Sequence, residues 1–140
     1  MKTKVFSLTS ALVLLLLLGC SESNDVSYSQ EFEIQVNHSL EAADNSRYVI
    51  NFDSVFMDSR CPMEADCFWS GVAGVRFTIS KKNSSSRTVE IYTKSNQSYP
   101  DSFVFDKLKI KLLGLSPYPS FINKINYSEY VAKIQLSIIH

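Results

Sequence analysis

Histidine is nearly absent from this 140-residue chain, with only His38 and His140 present, and the shortage removes most imidazole chemistry. A zinc site would have only those two rings to draw on. A Ser/His/Asp nucleophile would need one of them as its base. His38 falls at an expected strand end or turn, His140 is the last residue of the chain, and no serine sits in a G-x-S-x-G elbow. Excess charge of one sign is lacking too: 14 basic residues stand against 14 acidic ones, so nothing electrostatic favours nucleic acid or an anionic membrane surface as partner. Glycine and proline number four each. Ser, Asn, Tyr, Phe, Ile and Val are abundant instead, a β-biased composition that still fills a core. No stretch carries a convincing helical period, no segment repeats, and no domain linker follows Gln30.

The first twenty residues differ from the rest. Lys2 and Lys4 give a positive start, and the apolar run from Ala11 to Leu18 follows. It is shorter than the span of about 20 residues that crosses a bilayer, and reads as the core of a signal peptide, residues 1–19. The run ends in Leu17-Leu18-Gly19-Cys20, which resembles the lipobox of bacterial lipoproteins. The resemblance implies acylation of the Cys20 thiol, cleavage just before it and acylation of the new amino terminus, and so attachment to a membrane of the bacterial cell envelope through lipid on Cys20. Ser21 rather than Asp follows Cys20, which resembles the pattern sent on to the outer membrane. Cleavage would leave 121 of the 140 residues, a length suited to one domain. Loss of Lys2 and Lys4 would leave a net charge of about −2. With Cys20 taken by lipid, Cys61 and Cys67 remain as an even pair, and an oxidising compartment makes a disulfide between them the expected state. It would close a loop of about seven residues, for which chain entropy predicts roughly 2 kcal/mol. The four N-x-S triplets at Asn37, Asn83, Asn96 and Asn126 then read as polar turns and strand edges rather than glycosylation sites.

Residues 20–30, the lipidated cysteine and a Ser-, Glu- and Asn-rich stretch, read as a tether that extends at most about 35 Å. From Glu31 to His140 the period is two. Phe32, Ile34 and Val36 alternate with polar residues; Tyr48, Ile50 and Phe52 do the same until Asp53-Ser54 shifts the phase, as a bulge would. Val75, Phe77 and Ile79 lead into a polar hairpin loop at Lys81 to Ser86, with Val89 and Ile91 beyond it. Phe103 and Phe105 precede Leu108, Ile110 and Leu112, and Tyr130 to Ile138 alternates over the longest distance. The expected fold is all-β, a single antiparallel sandwich of about seven strands, immunoglobulin-like in general architecture, with the last strand inside a sheet. Asn123 to Glu129 has room for a helical turn.

The densest local signal is Asp58-Ser59-Arg60-Cys61-Pro62, a second cysteine at Cys67, then Trp69 and Gly71. This D-S-R-C-P…C-x-W-x-G segment is similar to one recurring in a family of small secreted bacterial domains with no assigned activity. The likeness covers about Tyr48 to Ile79, with a weaker echo in Leu112 to Pro119 and the last strand. It implies a β-domain of an exported protein and transfers no catalytic residue. Two roles suit the segment. In the structural one, Trp69 packs on the disulfide to close one end of the core, while Arg60 pairs with Asp58 or binds loop carbonyls. In the functional one, a rigid loop presents Asp58, Arg60, Met63, Glu64 and Trp69 to a partner, with rigidity lowering the ordering cost of binding. Asp53, Asp58, Glu64 and Asp66 offer carboxylates for calcium, but their spacing is not that of an EF-hand. No metal or cofactor is expected. A second candidate surface lies in Leu115 to Phe121, where Pro117 and Pro119 force the chain out of the sheet. Tyr118 and Phe121 either cover the open end of the sandwich or, joined by Tyr99, form an aromatic platform for a glycan or peptide.

These features point to a lipid-anchored, non-enzymatic binding module or accessory subunit of the envelope, its ligand a protein or a glycan. An inhibitor presenting the Arg60 loop to an envelope or secreted hydrolase is the alternative. A small glycan- or peptide-active enzyme, which would need a concave cluster of carboxylates, is the third.

Overall fold

The computed structural model describes residues 29–42 and 48–139. The signal peptide, Cys20, most of the tether and His140 lie outside the described residues.

Eight strands follow one another: β1 (Ser29–Gln35), β2 (Ser39–Glu41), β3 (Tyr48–Asp58), β4 (Ala73–Lys81), β5 (Ser86–Tyr92), β6 (Ser102–Phe105), β7 (Leu108–Ser116) and β8 (Val131–Ile138). They form two four-stranded antiparallel sheets, β1-β8-β7-β6 and β2-β3-β4-β5. The expected sandwich is therefore present, with β8 inside its sheet. The eighth strand, absent from the expectation, is β2, whose three residues are too few to display an alternation. β1 also begins at Ser29, so Ser29 and Gln30 belong to the sheet rather than to the tether. The layered architecture is that of immunoglobulin domains. The connectivity here is two meanders, β2 to β5 and β6 to β8, with β1 paired on β8.

The period-two residues meet between the sheets. Ile34, Tyr48, Ile50, Phe52, Phe77, Ile79, Ile91, Ile110, Ile134 and Leu136 are all buried in one cluster. Strand β3 departs from strict alternation twice, with register shifts between Phe52 and Ser54 and between Val55 and Met57. The first is the one its Asp53-Ser54 pair predicts. Each bulge sets two residues of β3 against one of β4, so Asp53 and Ser54 lie opposite Arg76, and Phe56 and Met57 opposite Gly74.

Register defines the two poles of the sandwich. Ser29 pairs with Ser137, and Leu108 with Ile138, at one end; Gln35 and Ser116 both pair with Val131 at the other. The chain thus enters the domain at the first pole, and seven residues of β1 carry it about 20 Å toward the second. At the entry pole, Tyr48 of β3 donates its hydroxyl to Asp106 in the β6–β7 turn at 2.7 Å, and Lys81 of β4 reaches the same carboxylate at 2.7 Å. Burial, then the bond to Asp106, raises the Tyr48 phenol above its ordinary value, while the bonds from Lys81 and Tyr48 hold the Asp106 carboxyl low. One side-chain cluster therefore ties the two sheets together there. The opposite pole carries the loops that the sequence singles out.

Candidate functional site

The D-S-R-C-P segment leaves the end of β3 and crosses to the other sheet. Arg60 is the only buried polar or charged residue among those described, at 7% exposure. Its Nε and Nη2 donate to the two carboxylate oxygens of Asp58 at 2.8 and 2.7 Å, a bidentate pair. Nη1 also donates to the Leu115 carbonyl, and Nη2 to the Pro117 carbonyl at 2.9 Å. Tyr118 covers the guanidinium, its ring centre 4.7 Å from Cζ. Asp58 accepts the Tyr130 hydroxyl at 3.0 Å, and burial together with the Asp58 charge raises that phenol. One ion pair thereby links the ends of β3 and β7, the proline loop and the start of β8.

Both bland roles foreseen for Arg60, the pair with Asp58 and the bonds to loop carbonyls, are filled at once. Presentation of Arg60 and Asp58 to a partner is corrected by this burial: the guanidinium makes four hydrogen bonds to acceptors inside the chain, using all three of its nitrogens. Ser59 adds a second link, its hydroxyl bonding both the carbonyl and the N–H of Val72 at 2.8 and 3.1 Å. Gly71 completes the segment. Its φ of +56° and the 1.8 Å that would separate an added Cβ from the Ser59 carbonyl oxygen leave no room for a side chain.

Cys61 and Cys67 form the disulfide, with Cα atoms 6.0 Å apart. Trp69 does not pack on it to close the core, as its spacing suggests; the indole is 71% exposed and its neighbour Phe68 is fully exposed. A loop held at its base by the Arg60 node and the Gly71 turn leaves these rings outside the sandwich.

The proline loop docks against the disulfide loop. Met63 donates its N–H to the Pro119 carbonyl at 3.0 Å. Glu64 accepts from the Ser120 hydroxyl and from the Phe121 N–H, the latter at 3.0 Å. These bonds, the hydroxyl first, hold the Glu64 carboxyl below its ordinary value. The tie is therefore intact above the usual glutamate range and lost as pH falls through the lowered value. An NMR titration of the Phe121 amide should give a midpoint below the ordinary glutamate value, and Glu64→Gln should abolish it. A midpoint at or above the ordinary glutamate value would count against the tie.

Met63, Glu64, Trp69, Tyr118 and Phe121 are thus gathered at one pole, and Asp58 and Arg60 lie beneath them. Tyr99 is elsewhere: it packs on Tyr92 with ring centres 4.8 Å apart, so it does not extend the platform of Tyr118 and Phe121. The carboxylates considered for calcium are dispersed, Asp53 bound to Thr78, Asp58 to Arg60 and Glu64 to Ser120. Among the described residues no group of three or more His, Cys, Asp or Glu is placed to hold a metal ion. Phe68 and Ile122, both largely exposed, join the apolar pole. Nothing in the local sequence separates them from core residues, because outside a strand there is no alternation to say which side chains face in.

Fold and surface together define a class: a two-sheet antiparallel sandwich with one pole braced within by a buried ion pair and a disulfide, and apolar without. Comparison with known protein families, curated proteins and solved structures gives no match.

Proposed function

We propose that this chain is a lipid-anchored, non-enzymatic module of the bacterial cell envelope, attached through Cys20 to the outer membrane, whose braced apolar pole docks on a partner protein. The exposure of Phe68 and Trp69 carries the reading, supported by Met63, Phe121 and Ile122 on the adjoining loop. Solvated aromatic side chains on a rigid base supply contact area at low ordering cost, which is the character of interface anchors. Their position favours a protein over the anchoring membrane. The tether enters at the opposite pole, and from Cys20 to Ser29 it reaches at most about 32 Å. Folding the apolar pole back onto the membrane would need that tether stretched along the whole sandwich.

The inhibitor reading loses the residue it was built on, since Arg60 is inside. Two measurements on the full-length protein in membranes test the proposal. Cys20→Ala should release the domain from the membrane fraction with its fold intact, and a variant that still partitions with membranes would defeat the anchor. A photoreactive phenylalanine at position 68 should give one discrete protein adduct, absent when it is placed at Lys82 in the far hairpin and reduced by Trp69→Ser. Equal labelling from both positions would defeat the docking pole.

A further inference from the structure

The outer face of the β2-β3-β4-β5 sheet carries a second feature unrelated to the loops. Ser39 and Asn51 are register partners, so their side chains stand side by side on that face. Asp53, two residues beyond Asn51, shares that face, where its carboxylate accepts from the Thr78 hydroxyl at 2.7 Å. The β1–β2 turn, with Asn37 at φ 64°, closes the edge. Its backbone is fixed by bonds from Asn37 N–H to the Phe52 carbonyl at 2.7 Å and from Phe52 N–H to the His38 carbonyl at 3.0 Å. These residues line an open cavity of about 360 Å³, within the usual size of small-ligand sites.

The polar groups around it are largely unspent. The His38 Nδ1 lies 3.1 Å from the Val36 carbonyl, which makes it the donor nitrogen and leaves Nε2 as an acceptor. The Asn51 amide nitrogen reaches the Thr78 carbonyl only at 3.4 Å, and its oxygen has no partner among the described residues. One Asp53 oxygen and the Ser39 hydroxyl are likewise without one.

This chemistry selects its ligand. Asp53 is the only charged lining residue and Arg76 offsets its charge from outside the pocket, so no cationic lining group holds an anion, and one carboxylate is too little for a hard cation. An apolar ligand would strand four hydrogen-bonding side chains. Hydroxyl groups, which both donate and accept, satisfy amide, imidazole and carboxylate together.

The same face continues into aromatic surface. The phase shift at the first bulge sets Val55 against Val75 and leaves Phe56 facing outward, its ring so close over Gly74 that an added Cβ would lie 2.5 Å away. Tyr92 stands 5.8 Å from Phe56, Tyr99 4.8 Å from Tyr92, and Arg76, paired with Glu90, covers part of the Phe56 ring. Asn51 and Phe56 are five residue steps apart on β3, about 16 Å along the strand. Sugar rings offer hydroxyls at their rims and C–H groups on their faces, and the latter suit the negative face of an aromatic ring.

We propose that this face binds an uncharged glycan, with one sugar held in the His38–Asn51–Asp53 pocket and its neighbours laid along Phe56, Tyr92 and Tyr99. The test is an NMR titration of the full chain, in a detergent without a sugar headgroup, against neutral tetrasaccharides of glucose, galactose, mannose and N-acetylglucosamine and the corresponding monosaccharides. At least one tetrasaccharide should produce saturable shifts at Asn37, His38, Ser39, Asn51 and Asp53 and at Phe56 and Tyr92. Its monosaccharide should move the pocket alone. Asn51→Ala and, separately, Tyr92→Ala should each weaken the tetrasaccharide by about tenfold or more, with the remaining amide spectrum unchanged. Should no sugar give saturable shifts, should they fall only at the apolar pole, or should phosphate or calcium alone reproduce them, the proposal is overturned. None of these readouts depends on the lipid anchor or on the docking pole.

Discussion

Arg60→Ala should lower the folding stability by about 3–5 kcal/mol, the usual consequence of removing one partner from a buried ion pair. The pair is well shielded, with side-chain exposures of 5% for Arg60 and 10% for Asp58, so solvent does little to replace the missing charge. After the substitution Asp58 keeps the Tyr130 hydroxyl and the backbone N–H of residue 60 but no countercharge, and the carbonyls of Leu115 and Pro117 lose the guanidinium as donor. For a domain whose total stability is of the order of 5–15 kcal/mol, this is a large fraction, and thermal or urea unfolding will show it directly. Arg60→Lys should recover only part of the loss, because an ammonium cannot make the bidentate contact and still reach two carbonyls. A double variant, Asp58→Ala with Arg60→Met, should cost less than the sum of its single changes, since neither charge is then left unpaired. A stability change for Arg60→Ala within about 0.5 kcal/mol, the range of an ordinary surface substitution, would mean that the node does not hold the pole.

Gly71→Ala is the second large effect. The left-handed conformation alone costs a residue with a Cβ about 1–2 kcal/mol, and here the added carbon would sit 1.8 Å from the Ser59 carbonyl oxygen and 2.7 Å from the Arg60 Cα. Because both neighbours are backbone, no side-chain rotation relieves the overlap. The strand must move, and with it the Ser59–Val72 link and the guanidinium behind it. Loss of the folded state at ordinary temperature, or a stability loss exceeding that of the conformational term, is the expected result of a melting experiment. Gly114 is the control. It lies at the bulge of β7 with open space where its Cβ would be, so Gly114→Ala should be neutral or stabilise by up to about 1 kcal/mol. Equal damage from the two substitutions would show that the Gly71 contact is not what matters.

The two variants also bear on how the D-S-R-C-P…C-x-W-x-G segment is understood. Its Asp and Arg latch the two sheets together, and its Ser, the two cysteines and the final Gly brace the connection from β3 to β4 that carries them. Its Trp faces water together with Phe68. The part of the motif that looks structural from the sequence, an indole against a disulfide, is the part left exposed. The part that looks presentable, a charged Arg in a braced loop, is structural.

Strand periodicity was legible because it is a local property. Whenever one face of a strand is buried, side chains alternate, and Tyr48-Ile50-Phe52 or Ile134-Leu136 announces the core without reference to any other segment. The disulfide was legible by counting, and the first bulge of β3 by a break in phase. The partners of Arg60 were not, because its carbonyl acceptors lie 55 and 57 residues away and nothing at Leu115 or Pro117 marks a guanidinium site. Nor was the pocket of His38, Asn51 and Asp53, because the strand period puts Asn51 and Asp53 on one face but only the pairing of β2 with β3 sets His38 and Ser39 beside them.

By itself the sequence determined the strands and the cysteine pair, which are written in neighbouring residues. Only the tertiary structure decided that Arg60 is inside and Trp69 outside, that Gly71 admits no side chain, and that the loop pole lies opposite the start of β1. The physical reason is common to all of these: a loop side chain is buried or exposed by what distant segments place around it, and no period in the chain records that.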